Sequence, residues 1–338
     1  MKRRSLGRSA LSVSEICLGT MTFGSMANER ESLAILDHAY AAGVNFLDVA
    51  EVYPVPPEAK WAGRSEEIVG KWLADKPRAA VFLATKVAGP GGGWFQAPVR
   101  EGNTGLDRHS IERACEASLR RLGTDYVDLY QTHWPDRVVP VDEQMEALDR
   151  LVEAGKVRYL GCSNETAYGL ARSLWVSDIR GFARHQTIQN NWSLLNRRFE
   201  DELAEVCREE KVSLIPYSPL GAGVLSGKYQ NGAWPVGARF SLYREYNPRG
   251  KAMSERFVNP RSLETTGRLL DLAREAGISP VTLAIGWTLT KSFVGSTIIG
   301  ATRVDQLRDS LAAAEVKLSG DVLRACETIT REILYPLG

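Results

Sequence analysis

Two rhythms of apolar residues alternate along the chain. One is short and dense. The runs 16–19, 44–47, 80–86, 126–133, 157–164, 184–190, 212–219 and 296–300 are rich in apolar, β-branched and aromatic residues, the pattern of buried strands. The other returns every three or four residues. It groups Leu33, Leu36, Ala39 and Tyr40; Ile68, Val69, Trp72 and Leu73; Ile111, Ala114, Cys115, Ser118, Leu119 and Leu122; Met145, Leu148 and Val152; Phe199, Leu203, Val206 and Cys207; and Val304, Leu307 and Leu311. This spacing predicts an amphipathic helix after each strand. Local punctuation agrees: Asn28 and Glu31 stand in capping-box relation ahead of helix 31–43, Gly43 stops it, Pro77 ends the second helix, and Asp107 and Gly123 bracket the third.

An uninterrupted alternation of strand and helix implies a parallel sheet built from right-handed βαβ units. Eight such units in 338 residues predict a closed (β/α)8 TIM barrel, an α/β fold forming one domain over 1–338. An open doubly wound sheet fits less well, because Gly19-Thr20-Met21-Thr22-Phe23-Gly24 lacks the second glycine of the GxGxxG turn. Segment 4–15 is Gly- and Ser-punctuated and predicts a hairpin lid ahead of the first strand. Segment 319–334, with Val322, Leu323, Cys326 and Ile329 at helical spacing, predicts an extra C-terminal helix on the outside. Connections 87–106 and 220–262 exceed the ~15 residues usual for loops in compact domains, and both follow strands, so they are expected to be functional loops.

Composition adds exclusions. Apolar residues at 44% and charged residues at 25% support an ordinary buried core. With 42 Lys and Arg against 41 Asp and Glu, the net charge of +1 offers no field for nucleic acid or an anionic membrane, and any anion site must be local. Cys17, Cys115, Cys162, Cys207 and Cys326 are odd in number and scattered, with no zinc-ligand spacing. They are expected to be reduced, mostly buried thiols, and no metal site is expected. Met1-Lys2-Arg3-Arg4 resembles the charged start of a signal peptide, but Arg8, Ser9, Ser12, Ser14 and Glu15 break the apolar stretch that would have to follow. No run approaches the ~18 apolar residues of a membrane span. The expected compartment is the cytoplasm. Nothing in the composition bears on the number of subunits.

The chemistry concentrates where strands end. Asp48 closes the second strand, Tyr53 follows five residues later, Lys86 closes the third strand and His133 the fourth. In a barrel these ends converge at one mouth. Taken singly, each has an ordinary structural use: a turn cap, an edge cover, a snorkelling amine, a satisfied imidazole. Three successive strands delivering carboxylate, ammonium and imidazole to one mouth is, however, a poor way to build a core. A phenol ordinarily titrates near pH ~10. A neighbouring ammonium is expected to lower that value, with a carboxylate holding the ammonium charged, in the order Asp48, Lys86, Tyr53. His133 either orients a carbonyl or shares the proton with Tyr53. The set suits reduction of a carbonyl, whose oxygen needs a proton as hydride reaches carbon; the hydride must come from a cofactor. The run Pro54-Val55-Pro56-Pro57 is expected to stiffen the chain behind the phenol.

Six motifs occur in order over nearly the whole chain: Leu18-Gly19-Thr20-Met21-Thr22-Phe23-Gly24, Asp48-Val49-Ala50-Glu51-Val52-Tyr53, Lys86, Gln131-Thr132-His133-Trp134-Pro135, Gly161-Cys162-Ser163-Asn164 and Tyr217-Ser218-Pro219-Leu220. On these residues the chain resembles the aldo-keto reductase family, in particular its bacterial Tas-like branch. The resemblance implies a catalytic tetrad of Asp48, Tyr53, Lys86 and His133 with Tyr53 as general acid, a small-molecule carbonyl substrate, and NADP(H) bound without a Rossmann fold. It puts Ser163, Asn164 and Gln189 on the nicotinamide carboxamide, Tyr217 against the ring, and Ser218, Leu220 and Lys228 on the pyrophosphate, with Pro219 between them. Gly300, Thr302, Arg303 and Gln306 would take the adenosine 2′-phosphate, so that NADP is preferred over NAD; Arg239 would close over the cofactor and Asp309 would lie near the adenine. Ser310 departs from the asparagine of many relatives, which weakens an adenine contact. Amides and a hydroxyl suit a carboxamide, and a helix N-terminus beside a guanidinium suits a phosphate. Strand-end capping is the plainer use of the same amides. Trp94, Trp134 and Phe23 are candidate walls of a substrate pocket, and a loop tryptophan serves equally to pack its loop.

Two other readings compete. One is a regulatory subunit that senses redox state through NADP(H), as potassium-channel β subunits of this family do; no long channel-type segment precedes the barrel, which favours the enzyme. The other, a TIM-barrel isomerase or hydrolase without nicotinamide, requires the Ser163 and Tyr217 clusters to be coincidental.

Overall fold

The computed structural model describes residues 1–90 and 97–337. Strands β1 (Arg3–Ser5) and β2 (Ser12–Ser14) form an antiparallel hairpin. There follow β3 (Ile16–Gly19), α1 (Glu29–Ala41), β4 (Phe46–Asp48), α2 (Arg64–Leu73), β5 (Phe82–Val87), α3 (Arg108–Leu122), β6 (Val127–Thr132), α4 (Val141–Glu153), β7 (Val157–Ser163), α5 (Ala167–Arg180), β8 (His185–Gln189), α6 (Leu203–Glu210) and β9 (Ser213–Leu214). After β9 come α7 (Arg239–Tyr246), α8 (Pro248–Phe257), α9 (Pro260–Glu275), α10 (Pro280–Leu289), β10 (Thr297–Ile299), α11 (Leu307–Ala312) and α12 (Gly320–Glu332). The eight strands β3 to β10 form one parallel sheet in the order β10-β3-β4-β5-β6-β7-β8-β9. Leu214 pairs with Val294, and the Ile298 amide donates to the Pro216 carbonyl at 3.0 Å, which joins the two ends. The expected (β/α)8 barrel is therefore present. Strand β9 is the shortest because Pro216 and Pro219 lack amides and Ser218, at φ 54, leaves the extended region.

The hairpin plugs the end of the barrel where strands begin. Leu6, Leu11 and Val13 are fully buried against Phe46, Ala84, Leu129 and Ile215, and the Gly7 amide donates to Ser213 Oγ at 2.8 Å. Gly7 must be glycine: its φ is +56, and a Cβ would sit 2.4 Å from the Gln186 carbonyl. Sealing this floor lets the next inward layer be polar. Two residues further along their strands, Asp48, Lys86 and Gln131 succeed Phe46, Ala84 and Leu129, following the two-residue period of side-chain direction.

Outside the barrel most helices bury one face, while α10 is buried all round from Thr282 to Thr288. In α3, Asp107 accepts from the Ser110 amide, Gly123 ends the helix in the left-handed region, and Ile111, Ala114, Cys115, Leu119 and Leu122 face inward. Helix α12 places Cys326 and Ile329 in the cluster that holds the stacked Trp192 and Trp287. All five cysteines are buried free thiols.

Segment 220–262 is not the expected loop. It carries α7 and α8 and the start of α9, because Asn247-Pro248 and Asn259-Pro260 each supply an N-cap and a first-turn proline, and Phe240, Tyr243 and Phe257 supply the apolar face. Among the described residues of connection 87–106 the only helical element is a short 3₁₀ turn, Arg100–Gly102; Trp94 lies outside the described residues. Among the described residues no helix is long and apolar enough to cross a membrane, and no group of His, Cys, Asp and Glu could hold a metal ion.

His185 opens β8, buried with its Nδ1 unpartnered among the described residues, and burial pulls its pKa down from 6.5 to about 4. The folded state binds this proton later than the unfolded chain does. The stability it confers is therefore complete above pH ~6.5 and is lost as pH falls toward 4. Denaturant titrations should show a loss of about 3 kcal/mol from this group between pH 7 and 4, absent in His185→Gln.

Candidate active site

Four elements meet at the open end. Asp48 ends β4, Lys86 lies near the end of β5, His133 follows β6, and Tyr53 sits on the turn after Asp48, its amide donating to the Ala50 carbonyl at 3.1 Å. All four are buried, Lys86 completely. The Lys86 ammonium donates to Asp48 Oδ1 at 2.5 Å, to the Val49 carbonyl at 2.7 Å and to Tyr53 Oη at 3.3 Å, so each of its three protons has an acceptor. Asp48 Oδ2 accepts from Gln189 Nε2 at 2.8 Å and Gln131 Nε2 at 3.2 Å. The carboxylate is thereby held on both oxygens. Gln131 and Val49 fall within the sequence motifs, which give neither a role in holding the lysine or the carboxylate. The signal for Gln131 was its place two residues before His133, which the strand period puts on the inward face.

The electrostatics depart from expectation at Tyr53. Burial raises the phenol above its ordinary value; Lys86 lowers it and Asp48 raises it, but burial wins. Lys86 is itself raised: burial opposes its charge, and the Asp48 carboxylate and the phenol more than offset that. His133 is held well below the ordinary imidazole value, first by burial and then by the Lys86 charge, so it is neutral at pH 7. Its Nδ1 is buried without a partner among the described residues. The ring stacks on Trp134, centroids 3.8 Å apart, and meets Tyr53 edge-on at 5.6 Å. Trp134 thus lies beside the site, whereas Phe23 is fully buried in the core cluster that packs the helices on the barrel.

Further round the rim, Tyr217 Oη donates to Asn164 Oδ1 at 2.7 Å, Asn164 Nδ2 donates to the His133 carbonyl at 2.9 Å, and Ser163 Oγ donates to the Gln189 carbonyl at 2.7 Å. Asn164 and Ser218 both have positive φ, 57 and 54, a strain that tends to mark functional sites. The chain then passes through buried Pro219 and half-buried Leu220 to Lys228. The Lys228 amine is held below its ordinary value by partial burial and by the like charges of Arg239 and Arg303, which brings three cations into one neighbourhood. Arg239 is the first residue of α7 rather than part of a loop. Arg303 pairs with Asp305 at 3.1 Å, and the Thr302 amide donates to Gln306 Oε1 at 2.9 Å, in the turn between exposed Gly300 and α11. Asp309 pairs with Arg308 within α11, and Ser310 is buried behind it.

Known proteins resemble the chain in sequence over almost its whole length. A sequence model of the Aldo/keto reductase family matches residues 15–331. The protein tas of Escherichia coli (strain K12) is 40% identical over 360 residues, covering 99% of this chain and 99% of its own. Versiconal hemiacetal acetate reductase of Aspergillus parasiticus is 34% identical over 350 residues, covering 97% and 96%. A probable voltage-gated potassium channel subunit beta of Oryza sativa subsp. japonica is 33% identical over 320 residues, covering 94% and 92%. With a parallel eight-stranded barrel and a match over almost its full length, the chain belongs to the aldo/keto reductase family.

Proposed function

We propose that the protein, as one domain, reduces a small-molecule aldehyde or ketone to an alcohol with NADPH, and that Tyr53 donates the proton. The observation that supports this most is the buried chain Asp48–Lys86–Tyr53, with its carboxylate held by Gln131 and Gln189. The raised phenol stays protonated at neutral pH, the form a proton donor needs. As the carbonyl π bond breaks, Tyr53 Oη gives its proton to the substrate oxygen. The phenolate left behind is stabilised by an ammonium that Asp48 keeps charged, and solvent returns the proton. Neutral His133 orients the carbonyl by hydrogen bonding and is not the acid at pH 7.

The residues fit NADP(H). The Lys228 amine is lowered first by burial and then by the like charges of Arg239 and Arg303, and the three cations together suit a polyanion. Lys228 with Ser218, Pro219 and Leu220 would hold the pyrophosphate, and Arg303 with Gly300, Thr302 and Gln306 the 2′-phosphate, Arg239 closing beside both and Asp309 near the adenine. Tyr217 would cover the nicotinamide and Ser163, Asn164 and Gln189 its carboxamide; the Gln189 amide nitrogen is given to Asp48, which leaves its oxygen as acceptor. When bound, NADPH supplies the hydride.

Loss of NADPH absorbance across a panel of aldehydes, ketones and quinones tests the reading, with turnover on at least one class expected. Tight NADPH binding with no turnover on any of them would replace it by a nucleotide-sensing role. In the same assay Arg303→Ala should weaken NADPH roughly tenfold or more and NADH far less, the loss of one charge-assisted phosphate contact. Equal weakening would remove the 2′-phosphate assignment.

A further inference from the structure

Glu51 lies between Asp48 and Tyr53, buried, and has no part in the proton chain. Its backbone continues the pairing of β4 with β5 past the strand end: the Val49 amide donates to the Ala84 carbonyl at 2.9 Å, and the Glu51 amide to the Lys86 carbonyl at 3.3 Å. The next rung is made by the side chain. Glu51 Oε1 accepts from the Ala88 amide at 2.6 Å and pairs with Arg100, whose Nη2 donates to the Ala88 carbonyl at 2.8 Å. Both backbone groups of Ala88 are thus held by one buried ion pair. On the other flank of the same strand end the His133 amide donates to the Val87 carbonyl at 2.9 Å. The Glu51–Arg100 pair therefore ties the turn bearing Tyr53 to the strand bearing Lys86, one residue from where that strand also holds His133.

Arg100 sits in a costly conformation to do this. Arg100 and Glu101 have φ of 48 and 58, two successive non-glycine residues in the left-handed region, a state that persists only where surroundings over-determine it. What over-determines it is the Arg100 side chain: its bonds to Glu51 and Ala88, and Nε donating to the Asn103 carbonyl at 3.0 Å.

We infer that Glu51 and Arg100 are positioning residues, which set the placement of the Tyr53 hydroxyl against the Lys86 ammonium for the chemical step. The inference rests on the carbonyl-reductase reading above. Glu51→Gln keeps an oxygen for the Ala88 amide and removes the charge that holds Arg100.

The test measures kcat, substrate KM, NADPH affinity by fluorescence titration, and the isotope effect with NADPH deuterated at C4 of its dihydropyridine. The wild type, Glu51→Gln, Arg100→Met, the double variant and Tyr53→Phe are compared. Glu51→Gln should lower kcat roughly tenfold to a hundredfold, the range of other lost supporting contacts, with NADPH affinity within about twofold and a larger isotope effect. The double variant should be no slower than the slower single one, because the two act as a unit. Arg100→Met keeps the test open if Glu51→Gln does not fold. Unchanged kcat in both folded singles, or nucleotide affinity falling in step with kcat, would overturn the inference. If Tyr53→Phe is inactive while Glu51→Gln is not, only this inference fails; a wild type without turnover would overturn both readings.

Discussion

Tyr53→Phe is expected to lower kcat for carbonyl reduction by about a hundredfold to ten-thousandfold, the range for loss of a positioned general acid. NADPH affinity and the fold should be nearly untouched. The phenylalanine ring keeps the packing with Ala50, Val52 and Trp134, and Lys86 keeps Asp48 and the Val49 carbonyl, so stability should fall by only ~1 kcal/mol. The pH profile supplies an independent check. With burial outweighing the ammonium, the phenol remains protonated past its ordinary pKa of ~10, and reduction should not lose kcat through this group between pH 7 and 9. A decline there would mean that the ammonium dominates once the site is filled. Full activity in Tyr53→Phe would remove the residue from its assigned role.

The difference between expectation and structure at Tyr53 is one of degree that sequence cannot supply. Charge identity along 44–54 and at Lys86 predicts that the ammonium favours phenolate and the carboxylate favours the ammonium. Both effects have that direction in the folded chain, but the opposing effect of Asp48 on the phenol was not foreseen. Which effect wins depends on how dry the site is, and that follows from the hairpin floor and from Trp134 stacked on His133. The barrel was legible because a parallel strand buried on both faces leaves a dense apolar run, repeated eight times. Segment 220–262 was misjudged for the opposite reason. Its helices carry short apolar faces among many charges, and their clearest marks are two Asn-Pro pairs that also read as turns. Sequence order likewise hides Glu51 and Arg100, 49 residues apart and joined only because β5 and its connection fold back on the turn.

The same geometry makes Lys86 the residue whose loss should be most damaging. Lys86→Met removes the sole cation bonded to Asp48 among the described residues and leaves that carboxylate buried with only the two glutamine amides. Breaking a buried pair from one side costs roughly 3–5 kcal/mol, so the urea midpoint should fall sharply, and kcat should drop by about a hundredfold or more because the phenolate loses its stabilising charge. These two losses have different origins and should respond differently to a second substitution. Asp48→Asn added to Lys86→Met removes the uncompensated charge while keeping an oxygen to accept from Gln131 and Gln189, so stability should recover by a large part of the deficit. Activity should not recover at all, since no ammonium returns. If the double variant is as unstable as Lys86→Met, the deficit comes from the cavity left by the lysine stem rather than from Asp48. If it regains activity, the charge on residue 86 is not what the reaction uses.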